Sequence, residues 1–94
     1  MLKVLARTFV ASALVASAAL ARGAVELARG NAEEALQHLG RARRIWTEID
    51  LPFELARTRT LMARAHEALG DREGAEMEER AALAITSRIG AAAT

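Results

Sequence analysis

Two histidines, a basic triplet, an acidic triplet and a single tryptophan are the side chains of this 94-residue chain best suited to chemistry. His66-Glu67 would open a zinc-binding helical motif, but that motif needs a second histidine at position 70, where glycine stands. His38 lies in a different helix, and the absence of cysteine rules out thiolate ligands and disulfides. Surface or half-buried histidines are expected, with no metal and no cofactor. Arg41, Arg43 and Arg44 could touch phosphate, yet neither an aromatic platform nor a glycine-rich element accompanies them. They read as a solvated face pairing with acids of a neighbouring helix, so this segment alone is expected to bind no nucleic acid. Glu76, Glu78 and Glu79 read as the wet outer face of the last helix, with Arg72 and Arg80 each four residues from Glu76. No serine, threonine or carboxylate pair stands out as a nucleophile or acid–base couple, and a non-enzymatic protein is expected. Trp46 reads as core.

Helices must hold these residues, because no strand-like alternation occurs. Gly30 and Gly70 each close an Ala/Leu/Arg-rich stretch, as glycine does at helix C-termini. Asn31 is a suitable N-cap, with Glu34 completing a capping-box-like pair, and Asp71 is the matching cap forty residues on. Pro52 suits the first turn of a helix. Helices are predicted over about 32–49, 52–69 and 72–90, with a first helix that ends before Gly30 and reaches back to about Leu2. In the third, Leu55, Thr58, Met62, Ala65 and Leu69 form a mostly apolar stripe, and Arg57, Thr60, Arg64 and Glu67 fall on the opposite side. In the second, Ala35, Leu39, Ala42, Trp46 and Ile49 form the stripe, flanked by Leu36 and Ile45.

The chain also echoes itself forty residues on. Ala16 matches Ala56, Ala28 matches Ala68, Gly30 matches Gly70 and Glu33 matches Glu73. Ala35, Ala42, Ile45 and Ile49 match Ala75, Ala82, Ile85 and Ile89. Such a period marks a helical-repeat array. The expected fold is all-α: two helix-turn-helix repeats of about 14–50 and 52–90, four antiparallel helices forming a fragment of an α-solenoid in a single domain. Residues 1–13 form a helical extension or signal-like segment, and 91–94 a frayed tail. The mismatches are informative too. Leu36, Leu39 and Trp46 become Glu76, Glu79 and Thr86, while Met62 and Leu69 become Arg22 and Arg29. The inner helices are thus apolar where their outer counterparts are polar, as the ends of an array require. Two repeats are few for such an array. Homodimerisation, or an extra helix from residues 2–14, would supply the missing burial.

The formal charge is +1 overall but uneven: seven basic and three acidic residues in 1–47, six and nine in 48–94. At the amino terminus, Lys3 and Arg7 precede an uncharged run ending in Ala19-Leu20-Ala21, the layout of a secretory signal. Cleavage after Ala21 would remove half of a helix that the repeat needs. A cytoplasmic protein is therefore expected, with no membrane span; the alternative is a small exported helical protein cut after Ala21.

The small residues Gly23/Ala63, Ala35/Ala75 and Ala42/Ala82, with the turn glycines Gly30/Gly70, resemble a tetratricopeptide repeat. The family's aromatic positions hold Ala19, Glu26, Arg59, His66 and Glu79 here, and the unit is about six residues longer than the common one. From about Ala18 to Ala91 the chain also resembles the last helical repeats of large bacterial LuxR-type regulators. The pattern Trp46–Pro52–Glu54–Ala56–Arg57, then Leu69-Gly70-Asp71 and Ile89-Gly90-Ala91, carries this likeness. It implies the sensor-arm module alone, without the ATPase or DNA-reading domains of those proteins, either as a stand-alone relative or as a fragment of such a regulator. A tetratricopeptide likeness implies a protein or peptide partner. It further implies that Arg57, Thr60, Arg64 and Glu67 look into a groove that could clamp a carboxylate.

Overall fold

The computed structural model describes residues 1–93, with side chains through Ala91. Its helices are α1 (Leu2–Ala28), α2 (Ala32–Glu48), α3 (Pro52–Ala68) and α4 (Arg72–Ala93), each antiparallel to the next. The all-α, two-hairpin expectation holds. α1 packs on α2, α2 on α3 and α3 on α4, while α1 barely touches α3. α4 runs past Gly90 to Ala93, beyond the predicted end; Thr94 lies outside the described residues.

The three turns are built alike. Gly30, Asp50 and Gly70, twenty residues apart, all have positive φ (85°, 56° and 77°). After each, the next amide reaches back to a carbonyl in the last helical turn: Asn31 to Glu26 at 2.8 Å, Leu51 to Trp46 at 3.0 Å and Asp71 to His66 at 2.9 Å. This left-handed closure satisfies the orphan carbonyls of a helix end. Hence the turn between hairpins equals the turns within them, with aspartate replacing glycine at the middle one.

The core joins Ala16, Ala19 and Leu20 of α1, Ala35, Leu39, Ala42 and Trp46 of α2, and Met62 of α3. Alanine dominates because the backbones lie close. A Cβ on Gly23 would stand 2.6 Å from Leu39 Cγ, so glycine is required where α1 crosses α2. Leu69, placed on the α3 stripe by periodicity, is the C-cap residue and is 44% exposed, because the helix ends before it can turn inward.

α1 begins ten residues before Ser12, the counterpart of the α3 start at Pro52. Residues 1–11 are all exposed, including Leu2, Leu5 and Phe9. By length and composition α1 could cross a membrane, with a mean hydropathy of 1.8 over its best window. The free ten residues extend only about 15 Å, half of a bilayer's apolar core.

Candidate interaction surface

The residues that hold each hairpin closed are not those that the sequence offers first. Asn31 does not cap α2 with its side chain. Its Nδ2 donates instead to Glu26 Oε2 at 2.8 Å, and Arg29 Nη1 donates to the other oxygen at 3.2 Å. Glu26 is only 5% exposed, and a buried carboxylate left without donors costs more than a lost cap. The Asn31 amide, with help from the Arg29 charge, holds the Glu26 carboxyl below its usual range despite burial. At the equivalent place in the second hairpin the polarity is reversed. His66 Nδ1 stands 3.0 Å from Asp71 Oδ2, while Asp71 Oδ1 accepts the Gly74 amide at 2.9 Å. Asp71 is thus the cap that the sequence suggests. Gly74 leaves room for the pair, since a Cβ there would run into both side chains.

Glu78 also departs from its expected place. It is 7% exposed, turned inward between α3 and α4, where its Oε2 accepts from Arg59 Nη1 at 2.9 Å. Arg59 Nε is buried without a partner, as is Trp46 Nε1. The pair spans nineteen residues across the Gly70 turn, and the charged residue at a family aromatic position was its only sequence signal. Arg41 and Arg44 are exposed and Arg43 is half-buried; none is ion-paired among the described residues. Glu76 is likewise unpaired with Arg72 or Arg80.

Arg57, Thr60, Arg64 and Glu67 share the exposed side of α3. Arg57 leans towards Glu54 at 3.6 Å, and the Thr60 hydroxyl donates to the Ala56 carbonyl at 3.1 Å. Arg64 points to solvent. Thr60 and Glu67 also border α4. Glu67 lines an open cleft of about 510 Å³ with Gly70, Arg72, Ala75, Glu76 and Glu79. Thr60 lines an adjoining one of about 330 Å³ with Glu79, Ala82, Leu83 and Thr86. The two clefts share Glu79 and form one acidic trough along the outer α3–α4 seam. Such a trough can take a cation or a basic helix face; nothing in it resembles a nucleophile with its base.

A tetratricopeptide-repeat family model matches residues 14–88. No curated protein and no solved structure gives a match. Paired antiparallel helices repeating every forty residues, small residues at their crossings and that match over most of the chain agree: the chain belongs to the tetratricopeptide-repeat family.

Proposed function

We propose that this helical-repeat module binds a carboxylate-bearing segment of a partner protein on the exposed side of α3, through Arg57 and Arg64. The observation that carries this reading is the pair of exposed arginines on one helix face, two turns apart, with Arg57 in a long exposed ion pair and Arg64 in none among the described residues. An arginine fork offers paired donors matched to a carboxylate. Family membership supports a protein-binding role for the module as a whole. Titration with a library of peptides ending in free carboxylates tests the site. The expected result is that at least one peptide binds the folded chain and loses tenfold or more in affinity on the Arg57→Ala/Arg64→Ala double variant. Equal binding by both proteins would sink the assignment.

The likeness to LuxR-type regulators supports placing the module in a bacterial regulatory assembly. Reading the flanking genomic sequence for an in-frame ATPase or helix-turn-helix tests that. The reading also keeps α1 whole and in the cytoplasm, because cleavage after Ala21 would remove Ala16, Ala19 and Leu20 from the core. Amino-terminal sequencing that begins at Gly23 or Arg22 would overturn it.

A further inference from the structure

The molecule contains its own template for what fills the α3–α4 trough. The equivalent seam of the first hairpin is covered by α3, which packs on α2 and joins the α1 side chains in the core through Met62. Its walls carry Leu20, Leu36, Leu39 and Trp46, and the occupant presents Leu55, Thr58, Met62 and Ala65. Thr58 and Ala65 have no exposure there. Forty residues on, the walls of the empty groove carry Thr60, Glu76, Glu79 and Thr86. Forty residues back from the occupant's stripe lie Val15, Ala18, Arg22 and Val25 on α1, all exposed, followed on the same face by Arg29.

We propose that the α3–α4 trough receives helix α1 of a second copy of this chain, stacking molecules head to tail as α3 stacks on the first hairpin. The geometry supports this in three respects. Leu39 and Met62 lie level across the α2–α3 turn, so the same register sets Glu79 beside Arg22 of the next copy. Glu76 then lies within a turn of Arg29. The apolar contact of Leu39 and Met62 in one core inside the molecule becomes an ion pair between molecules. The charges are also segregated: α1 has no acidic residue before Glu26, whereas Glu67, Glu76 and Glu79 all border the trough. Finally, the outer helices are longer than their inner counterparts at the same edge. α1 exceeds α3 by ten residues at its N-terminus and α4 exceeds α2 by five at its C-terminus. In the stack the start of the α4 extension runs beside Ala11, which continues the exposed stripe of α1.

Because the two surfaces differ, the contact is heterologous and leads to open-ended stacks, not a closed pair. It does not use Arg57 or Arg64, neither of which lines the trough.

Sedimentation velocity of the full chain over a range of concentrations tests the proposal. At about 0.02 M salt the weight-average sedimentation coefficient should climb with concentration, and at about 0.5 M salt the climb should largely vanish through screening. Arg22→Glu and Glu76→Arg/Glu79→Arg should each stay monomeric, with helical circular dichroism unchanged because all three sites are exposed; Arg29 is kept, since it holds the buried Glu26. An equimolar mixture of the two variants should associate again, since each then offers the other a complementary face. Arg57→Ala/Arg64→Ala should sediment as the parent does, so failure of the peptide site and failure of the stack are separately visible. A parent chain that stays monomeric at low salt overturns the proposal. So does association that persists in both charge-reversed variants, which would place the contact elsewhere, as on Leu2, Leu5 and Phe9.

Discussion

Where α1 and α2 carry Ala19 and His38, the equivalent positions of α3 and α4 carry Arg59 and Glu78, joined at 2.9 Å. Where the first turn holds an acid on the helix and an amide after the glycine, the second holds a histidine and an acid. The backbone is the same in both hairpins, down to the positive φ of Gly30 and Gly70. The side chains differ because their surroundings do. The first hairpin is covered by α3, so its outer seam is apolar and Trp46 alone fills much of it. The second has an open seam, where exposed apolar residues would cost solubility. Its hairpin is therefore held more by a buried ion pair and less by oil. The helical-repeat framework fixes where helices cross, and each interface chooses its own chemistry.

The contrast can be broken most forcefully at Trp46, which is 2% exposed. Trp46→Ala should cost about 3–5 kcal/mol in urea denaturation, whereas Thr86→Ala at the equivalent outer position should stay within about 0.5 kcal/mol. Equal effects would mean that the two seams are not different in kind. Next comes the ion pair. Arg59→Ala leaves Glu78 buried and unpaired and should cost about 3 kcal/mol; an Arg59→Met/Glu78→Leu double variant should recover most of that, because no charge is stranded. A double variant as unstable as the single would show that the pair is a specific structural need of this hairpin.

Smaller effects sharpen the backbone half of the comparison. Gly30→Ala and Gly70→Ala should each lose about 1–2 kcal/mol, while Asp50→Gly should gain up to about 1 kcal/mol by relieving the same left-handed conformation. Matching losses at the two glycines would confirm that the turns are interchangeable. The smallest expected effect is a pH dependence confined to the first turn. Glu26 has a lowered pKa in the folded chain, so its contribution is complete above the ordinary carboxylate range. It is lost as pH falls through the depressed native value. Asn31→Ala should flatten the acid limb of a stability-against-pH curve below about pH 4, where the unfolded carboxylate titrates. An unchanged acid limb would remove Glu26 from the account.

Much of the fold was legible because it is written twice. The glycines and caps bounded the inner helices closely, and the forty-residue echo paired them. The swap of Leu36, Leu39 and Trp46 for Glu76, Glu79 and Thr86 correctly marked the outer seam. What escaped were partner choices across space. Asn31 reads as a cap from its neighbours, but Glu26 is five positions away and inward, and a carboxylate is the stronger acceptor. Glu78 sits among exposed glutamates and shares their look; only its facing of Arg59 on the next helix distinguishes it. The twenty-residue recurrence of turns was hidden because Asp50 performs at the centre what glycine performs on either side.

Of the candidate surface, the exposed side of α3 follows from helical phase alone, since residues opposite a buried stripe face water. The acidic trough does not. It exists because α3 and α4 meet at a particular distance and angle, bringing Glu67 to one cleft with Glu76 and Glu79. The sequence by itself determined the helices, their pairing and which face of each is apolar, for those depend on local propensity and a period of 3.6 residues. Only the tertiary structure decided which charged side chains are buried, which donor each one finds, and which groove stays open. Those depend on how helices from separate stretches of the chain come together, which local periodicity does not encode.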